Sequence, residues 1–230
     1  MTMQVAMVGT DGIVLAGDTK WSWSNDPIRW SQKASKMVID RERGIAISCA
    51  RNLETARPIA EAIIGLPEKD WEYPILPIQR AAASIIETTR FRRDAQCLIV
   101  RTTSTSYFFR FQVATVNGEP DQPICHKIED KAVVGDNNNA AIFWMERYYE
   151  KRPVNQLIPL AAHLVISSAR LNSATISGLE VVVCSDSGIS YLSDESLDEL
   201  TSSANKLDRL VMRSLAKMEK QFTYAPNVVV

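Results

Sequence analysis

The chain opens Met1-Thr2-Met3-Gln4-Val5-Ala6-Met7-Val8-Gly9-Thr10-Asp11-Gly12-Ile13-Val14-Leu15-Ala16-Gly17-Asp18-Thr19. Val5 and Met7, then Ile13 and Leu15, alternate apolar positions, and Thr10-Asp11-Gly12 carries turn chemistry between them. The stretch therefore reads as two strands joined by a tight turn, so the polypeptide enters a sheet almost at once, where most domains begin with loose residues. Thr2 stands at that entry. Bacterial-type processing removes an initiator Met ahead of so small a residue, which leaves a free α-amine on a residue that also bears a hydroxyl.

Hydroxyl and amine together form a compact catalytic unit. A threonine hydroxyl needs a base to become a nucleophile, and an α-amine, with a reference pKa of roughly 7.7–8.0, is partly neutral at physiological pH. Amine-activated threonine is one of the known nucleophile–base pairs. Strand starts also hold side chains on rigid elements.

Beyond this hairpin, Lys20–Gln32 carries Trp21, Trp23 and Trp30 around Pro27 and reads as a loop or ribbon. Its aromatics are candidates for contact with substrate or a neighbouring subunit, or for covering the sheet edge. Lys36–Asp40 and Gly44–Ala50 read as strands around an Arg41–Arg43 turn. Asn52 caps a helix in which Leu53, Ala56, Ala60, Ile63 and Ile64 recur up to Gly65, with Pro58 expected to kink it or delay its start. A second helix is expected over Ile78–Arg92, after a proline-punctuated connection. Strands follow at Cys97–Arg101, Tyr107–Ala114, Ile124–Ile128 and Ala132–Val134, with Val116–Gln122 a turn. Helices are expected over Asn138–Lys151, with Phe143, Trp144 and Tyr148 on one face, and over Leu157–Leu171. A hairpin of Glu180–Cys184 with Ile189–Leu192 precedes a long helix, Leu197–Gln221, and an apolar tail, Pro226–Val230. Strands and helices come in blocks, which points to stacked antiparallel sheets covered by helices rather than a doubly wound parallel sheet.

At 230 residues, 46% hydrophobic and 23% charged, the chain suits one domain spanning 1–230. A net charge of −1 argues against nucleic acid as a partner. No run of about 18 apolar residues suggests a membrane span. No secretory signal is read at the start, so a cytoplasmic protein is expected. Cys49, Cys97, Cys125 and Cys184 lack CxxC spacing and read as buried free thiols. Two histidines, His126 and His163, give little support to a His-based triad or metal site. The amine-activated mechanism needs no cofactor or metal.

The Val5–Thr19 stretch closely resembles the start of mature proteasome β-type subunits. In that family an Asp follows the catalytic Thr at the same offset that separates Asp18 from Thr2. The resemblance implies an α+β fold, the four-layer αββα sandwich of N-terminal-nucleophile hydrolases. It also implies a threonine-type endopeptidase with Thr2 as nucleophile and its own amine as base. Lys36-Met37-Val38-Ile39-Asp40 matches the family's lysine-led strand, after a loop slightly longer than usual. Lys33 is the alternative, but no apolar strand follows it directly. Asp18 would fix Lys36 and keep it charged.

The family's oxyanion turn matches Ser48-Cys49-Ala50-Arg51, with Ile47, Cys49 and Ala50 as candidate oxyanion and substrate-binding residues and Cys49 in place of the usual Gly. Asp136, after Val134-Gly135, stands where the family has Ser. It can accept a hydrogen bond from the terminal ammonium but adds a charge. Asn172 and Thr175 replace a family Asp and Ser. With no segment ahead of Met1-Thr2, the chain resembles the bacterial, HslV-like branch. The resemblance further implies peptide or unfolded-protein substrates, a homo-oligomeric ring (hexamer, heptamer or stacked double ring) and an ATP-dependent unfoldase as partner. Two other readings share the fold: an inactive assembly subunit, and a small-amide hydrolase.

Overall fold

The computed structural model describes residues 2–22, 31–88, 94–102, 107–116, 119–136, 139–173 and 175–219. In chain order the elements are β1 (Met3–Val8), β2 (Ile13–Gly17), β3 (Lys20–Ser22), β4 (Ser31–Lys33), β5 (Met37–Asp40), β6 (Ile45–Arg51), α1 (Leu53–Ile64), α2 (Ile75–Thr88), β7 (Ala95–Arg101) and β8 (Tyr107–Val113). They continue with β9 (Thr115–Val116), β10 (Glu119–Pro120), β11 (Ile124–Lys127), β12 (Lys131–Gly135), α3 (Ile142–Tyr148), α4 (Val154–Leu171), β13 (Glu180–Ser185), β14 (Gly188–Tyr191) and α5 (Asp194–Glu219).

Two five-stranded antiparallel sheets stack face to face. One runs β12-β1-β2-β13-β14, the other β11-β8-β7-β6-β5. Ala6, Ile13, Leu15, Leu98, Val100 and Phe108 fill the space between them. Helices α1 and α2 cover the second sheet over Ile47, Ile59, Ile63 and Ile99. Helices α3, α4 and α5 cover the first over Met3, Val5, Met7, Leu157 and Val165. The fold is therefore the αββα sandwich. Because both faces of β1 and β2 are covered, their residues are apolar nearly throughout, and the alternation of Val5/Met7 against Ala6 separates helix-facing from sheet-facing positions.

Several boundaries differ from the sequence reading. Helix α1 starts at Leu53, with the Asn52 carboxamide oxygen accepting the Thr55 N–H at 3.0 Å, so Pro58 does not delay it. Helix α2 begins one turn earlier than expected. Pro77 falls in its first turn, where a missing N–H costs nothing. Helix α3 is confined to Ile142–Tyr148, and Val154 opens α4 ahead of the expected Leu157. Helix α5 likewise starts at Asp194 rather than Leu197. Of the aromatic ribbon only Trp21 is described. Trp23, Pro27, Trp30 and the Pro226–Val230 tail lie outside the described residues. All four cysteines are free and buried. Among the described residues no helix is long and apolar enough to cross a membrane, and no cluster of His, Cys, Asp and Glu is placed to hold a metal.

His163 of α4 lies in the helix layer, edge-on to Trp144 with ring centroids 4.9 Å apart, its Nε2 3.3 Å from the Ser167 hydroxyl. Its Nδ1 is buried without a hydrogen-bond partner among the described residues. Burial first, then the Arg170 charge, pull its pKa below the usual histidine value. The unfolded chain therefore binds this proton more readily than the fold does, so stability is full above about pH 6.5 and declines as pH falls below it. Denaturant melts at pH 7.5 and 5.5 are expected to differ for the wild type, with His163 contributing at most about 1.4 kcal/mol per pH unit. His163→Leu should flatten that slope; an unchanged slope would assign it to other groups.

Candidate active site

Thr2 immediately precedes β1 and is buried, 5% exposed. Its hydroxyl oxygen accepts a hydrogen bond from Lys36 Nζ at 3.0 Å. Lys36, just ahead of β5 in the other sheet, also meets Asp18 Oδ2 at 2.7 Å. One ammonium thus bridges a hydroxyl from one strand start and a carboxylate from the end of β2. Asp18 is fully buried. Burial pushes its carboxyl up, opposed by the Lys36 charge and by hydrogen bonds from Lys36 and the Met3 and Lys20 amides. Burial pulls Lys36 down, opposed by Asp18.

The hairpin register makes this meeting possible. Gln4 stands opposite Gly17, and its side chain occupies the space a Cβ at Gly17 would need, 1.8 Å from Gln4 Oε1. From there Gln4 Nε2 donates to the Asp18 carbonyl at 3.3 Å and reaches Oδ1 at 3.5 Å. Gly135 closes β12 against Thr2 with φ 98°, and a Cβ there would fall 2.0 Å from the Thr2 carbonyl oxygen. The next amide, Asp136 N–H, donates to that carbonyl at 2.8 Å, and the Gly135 amide donates to Gln96 Oε1 at 2.8 Å. Thr2 is therefore pinned by its backbone from β12 while its hydroxyl points to Lys36.

The remaining sequence candidates divide. The Asp136 carboxylate accepts from Asn139 Nδ2 at 3.2 Å and from Asn172 Nδ2 at 3.1 Å. The Thr175 hydroxyl donates to the Asn172 carbonyl at 3.4 Å. These three form one network that meets Thr2 through the Asp136 amide. The Ile47 side chain packs in the core under α1 and α2, away from the site. The Cys49 amide donates to the Lys36 carbonyl at 2.9 Å and so is not free as an oxyanion donor. The Ala50 side chain lies in the core between the sheets. Strand alternation turns the Ala50 amide toward β7, where it pairs with Gln96, and returns the Arg51 amide to the side of β5, past the first residue of that strand. Arg51 has φ 69°, the only positive value at a non-glycine residue among those described. Lys33, the alternative lysine, lies in the β3–β4 ribbon paired with Lys20.

Beside Lys36 a narrow gap of about 10 Å³, room for roughly one water molecule, lies between Trp21, Ser35, Val38, Cys49, Leu53 and Arg57. Cys49 narrows it only from the helix side, its Sγ–H directed at the Ala56 carbonyl at 3.7 Å. Sequence reasoning misses Gln4, Gly17, Gln96 and the wall of the gap on α1, and it includes Arg51 in the oxyanion turn without singling it out as the donor. Gly17 facing Gln4 is the one signal that the strand register alone offers.

The fold has counterparts among solved structures. Anbu from Hyphomicrobium sp. strain MC1 superposes with a TM-score of 0.68 at 14% identity, over 98% of this chain and all of that one. Anbu from Yersinia bercovieri, described as an ancestral beta-subunit, gives 0.67 at 13% over 98% of this chain and 99% of that one. A helical assembly of the Anbu complex from Pseudomonas aeruginosa gives 0.68 at 14% over 99% of this chain and all of that one. The fold is similar to that of Anbu. This corrects the HslV-like assignment made from the sequence: the solved structures that the chain matches over nearly its whole length are Anbu, one of them described as an ancestral beta-subunit. That assignment rested on where the sequence begins, at Met1-Thr2, which does not separate one branch from another. No protein-family model matches the sequence, and no curated protein matches it.

Proposed function

We propose that the chain is a threonine-type N-terminal-nucleophile hydrolase acting on peptide amides. The observation that carries this is the Lys36 ammonium held between the Thr2 hydroxyl, at 3.0 Å, and Asp18, at 2.7 Å. Once Met1 is removed, the Thr2 α-amine takes the hydroxyl proton as Oγ1 attacks the amide carbonyl carbon. The adjacent ammonium favours the alkoxide and discourages protonation of the amine. The tetrahedral intermediate places its negative charge toward a backbone N–H, a role that falls to Arg51, whose left-handed backbone closes β6 and whose amide lies on the β5 side of that strand. Collapse breaks the C–N bond, the leaving amine takes the proton from the α-ammonium, and an ester to Thr2 remains. Water, deprotonated by the same amine, hydrolyses that ester and regenerates the hydroxyl.

The enzyme works in a homo-oligomer on this reading, supported by the helical assembly of the similarly folded Pseudomonas aeruginosa Anbu.

Intact mass and turnover of a fluorogenic peptide library test the proposal together. Protein lacking Met1 should cleave peptides. Protein lacking Met1 that cleaves small amides but no peptide would move the substrate to small amides. Protein lacking Met1 that cleaves neither would overturn the hydrolase.

A further inference from the structure

Lys36 must enter from the second sheet, while Thr2 and Asp18 belong to the first. Something has to fix the two sheets' edges to each other at this point. Glu180, the first residue of β13, lies directly opposite Gly17 in the β13–β2 ladder, next to Asp18. The Thr19 and Lys20 amides both donate to the Ser177 carbonyl at 3.1 Å, so the segment leading to Glu180 is strapped to the one that carries Asp18. Gly178, at φ 76°, leaves room for the Thr19 hydroxyl in that strap; a Cβ there would lie 2.1 Å from it.

From this platform the Glu180 carboxylate crosses to the loop before β5. It accepts the Ser35 hydroxyl at 2.6 Å and faces the backbone N–H of Lys36 itself. Ser35 Oγ in turn accepts the Met37 amide at 3.1 Å. Three successive residues of the loop that delivers Lys36 are thus held by one side chain or its immediate partner. Glu180 is only 9% exposed, and burial pushes its carboxyl above the usual glutamate value, with Ser35, the Lys36 amide and Lys33 opposing. A native state that favours the protonated form means the buried charge costs stability near neutral pH. Packing alone would be served better by an apolar residue.

We propose that Glu180 is a positioning residue for Lys36, holding the 35–37 backbone against the sheet that bears Thr2 and Asp18 so that the ammonium spans the two. This rests on the reading of Thr2 and Lys36 as the nucleophilic centre. Loss of the carboxylate should let Lys36 retreat, and a displacement of about 1 Å in such a group can cost on the order of 100-fold in rate.

Two readouts separate the proposal from that reading. One is acylation of Thr2 by a β-lactone, in which Oγ1 opens the lactone ring to an ester and adds the full reagent mass. The other is the NMR titration of ¹³Cε-labelled Lys36, which needs no activity. Glu180→Ala should slow acylation on the order of 100-fold and shift the Lys36 titration. Glu180→Gln, which keeps an acceptor for Ser35, should be intermediate in both. Ser35→Ala should reproduce part of the effect and serves if Glu180→Ala does not fold. Wild-type rates together with an unmoved Lys36 titration in Glu180→Ala, or in Ser35→Ala where Glu180→Ala does not fold, would overturn the proposal. If wild-type protein lacking Met1 is not acylated, the reading of Thr2 fails, and the Lys36 titration alone decides whether Glu180 positions it.

Discussion

Thr2→Ala is expected to lose β-lactone acylation and amide turnover, by a factor on the order of 10⁶ in kcat where the wild type turns over. The fold should survive the change. What disappears with the side chain is one acceptor for Lys36 Nζ, at 3.0 Å, while the stronger contact to Asp18 at 2.7 Å remains. A hydrogen bond to a charged group contributes roughly 1.5–3 kcal/mol. For a chain of this size that lowers Tm by no more than about 12 °C. Thr2→Ser keeps the oxygen but loses the methyl that restricts χ1, so it should remain active at a reduced rate. Intact-mass acylation and thermal melting, run on the same preparations from which Met1 has been removed, check all three. Acylation of Thr2→Ala at the wild-type rate would place the nucleophile elsewhere and end the mechanism proposed above.

The part of the site that can be read in the sequence is the part carried by local register. Thr2, the β1–β2 hairpin and Asp18 lie on one short ladder, so the hairpin register turns a fixed offset along the chain into adjacency in space. Lys36 is recognisable because an apolar strand and an acidic turn follow it. The block order of strands and helices likewise announces stacked sheets. Other features depend on pairing across sheets, which no local pattern encodes. Whether the amide of Cys49, Ala50 or Arg51 faces the site is decided by which side of β6 carries β5, and a shift of one residue exchanges the answer. Glu180 reads as an ordinary strand start until β13 is laid beside β2 and the loop before β5 comes within its reach. Asp136, Asn172 and Thr175 are, one by one, common turn residues. Only their shared hydrogen bonds show that they act as one network behind Thr2.

The largest stability effect is expected from splitting the Lys36–Asp18 pair. Both groups are almost fully enclosed, so the pair is held by mutual compensation rather than by solvent. Lys36→Met leaves the Asp18 carboxylate buried beside the Met3 and Lys20 amides with no counter-charge. Breaking such a pair on one side costs about 3–5 kcal/mol, a fall in Tm of roughly 6–20 °C for this length.

The pH dependence identifies the cause. Burial already pushes the Asp18 carboxyl up, and without Lys36 it rises further. The folded variant then holds a proton that the unfolded chain, with its ordinary carboxyl near pH 3.9, has released. Stability of Lys36→Met relative to wild type must therefore fall as pH rises from 5 to 8. Asp18→Asn does the reverse. The orphaned Lys36, already pulled down by burial, holds its proton less firmly in the fold than when unfolded, so relative stability rises with pH as the folded lysine titrates below the ordinary lysine range. Combining the two substitutions removes both buried charges and should recover most of the lost stability while leaving acylation of Thr2 abolished. Equal pH slopes for the two single variants would show that the pair is not the source of the loss. A double variant that acylates at the wild-type rate would separate the ion pair from the chemistry altogether.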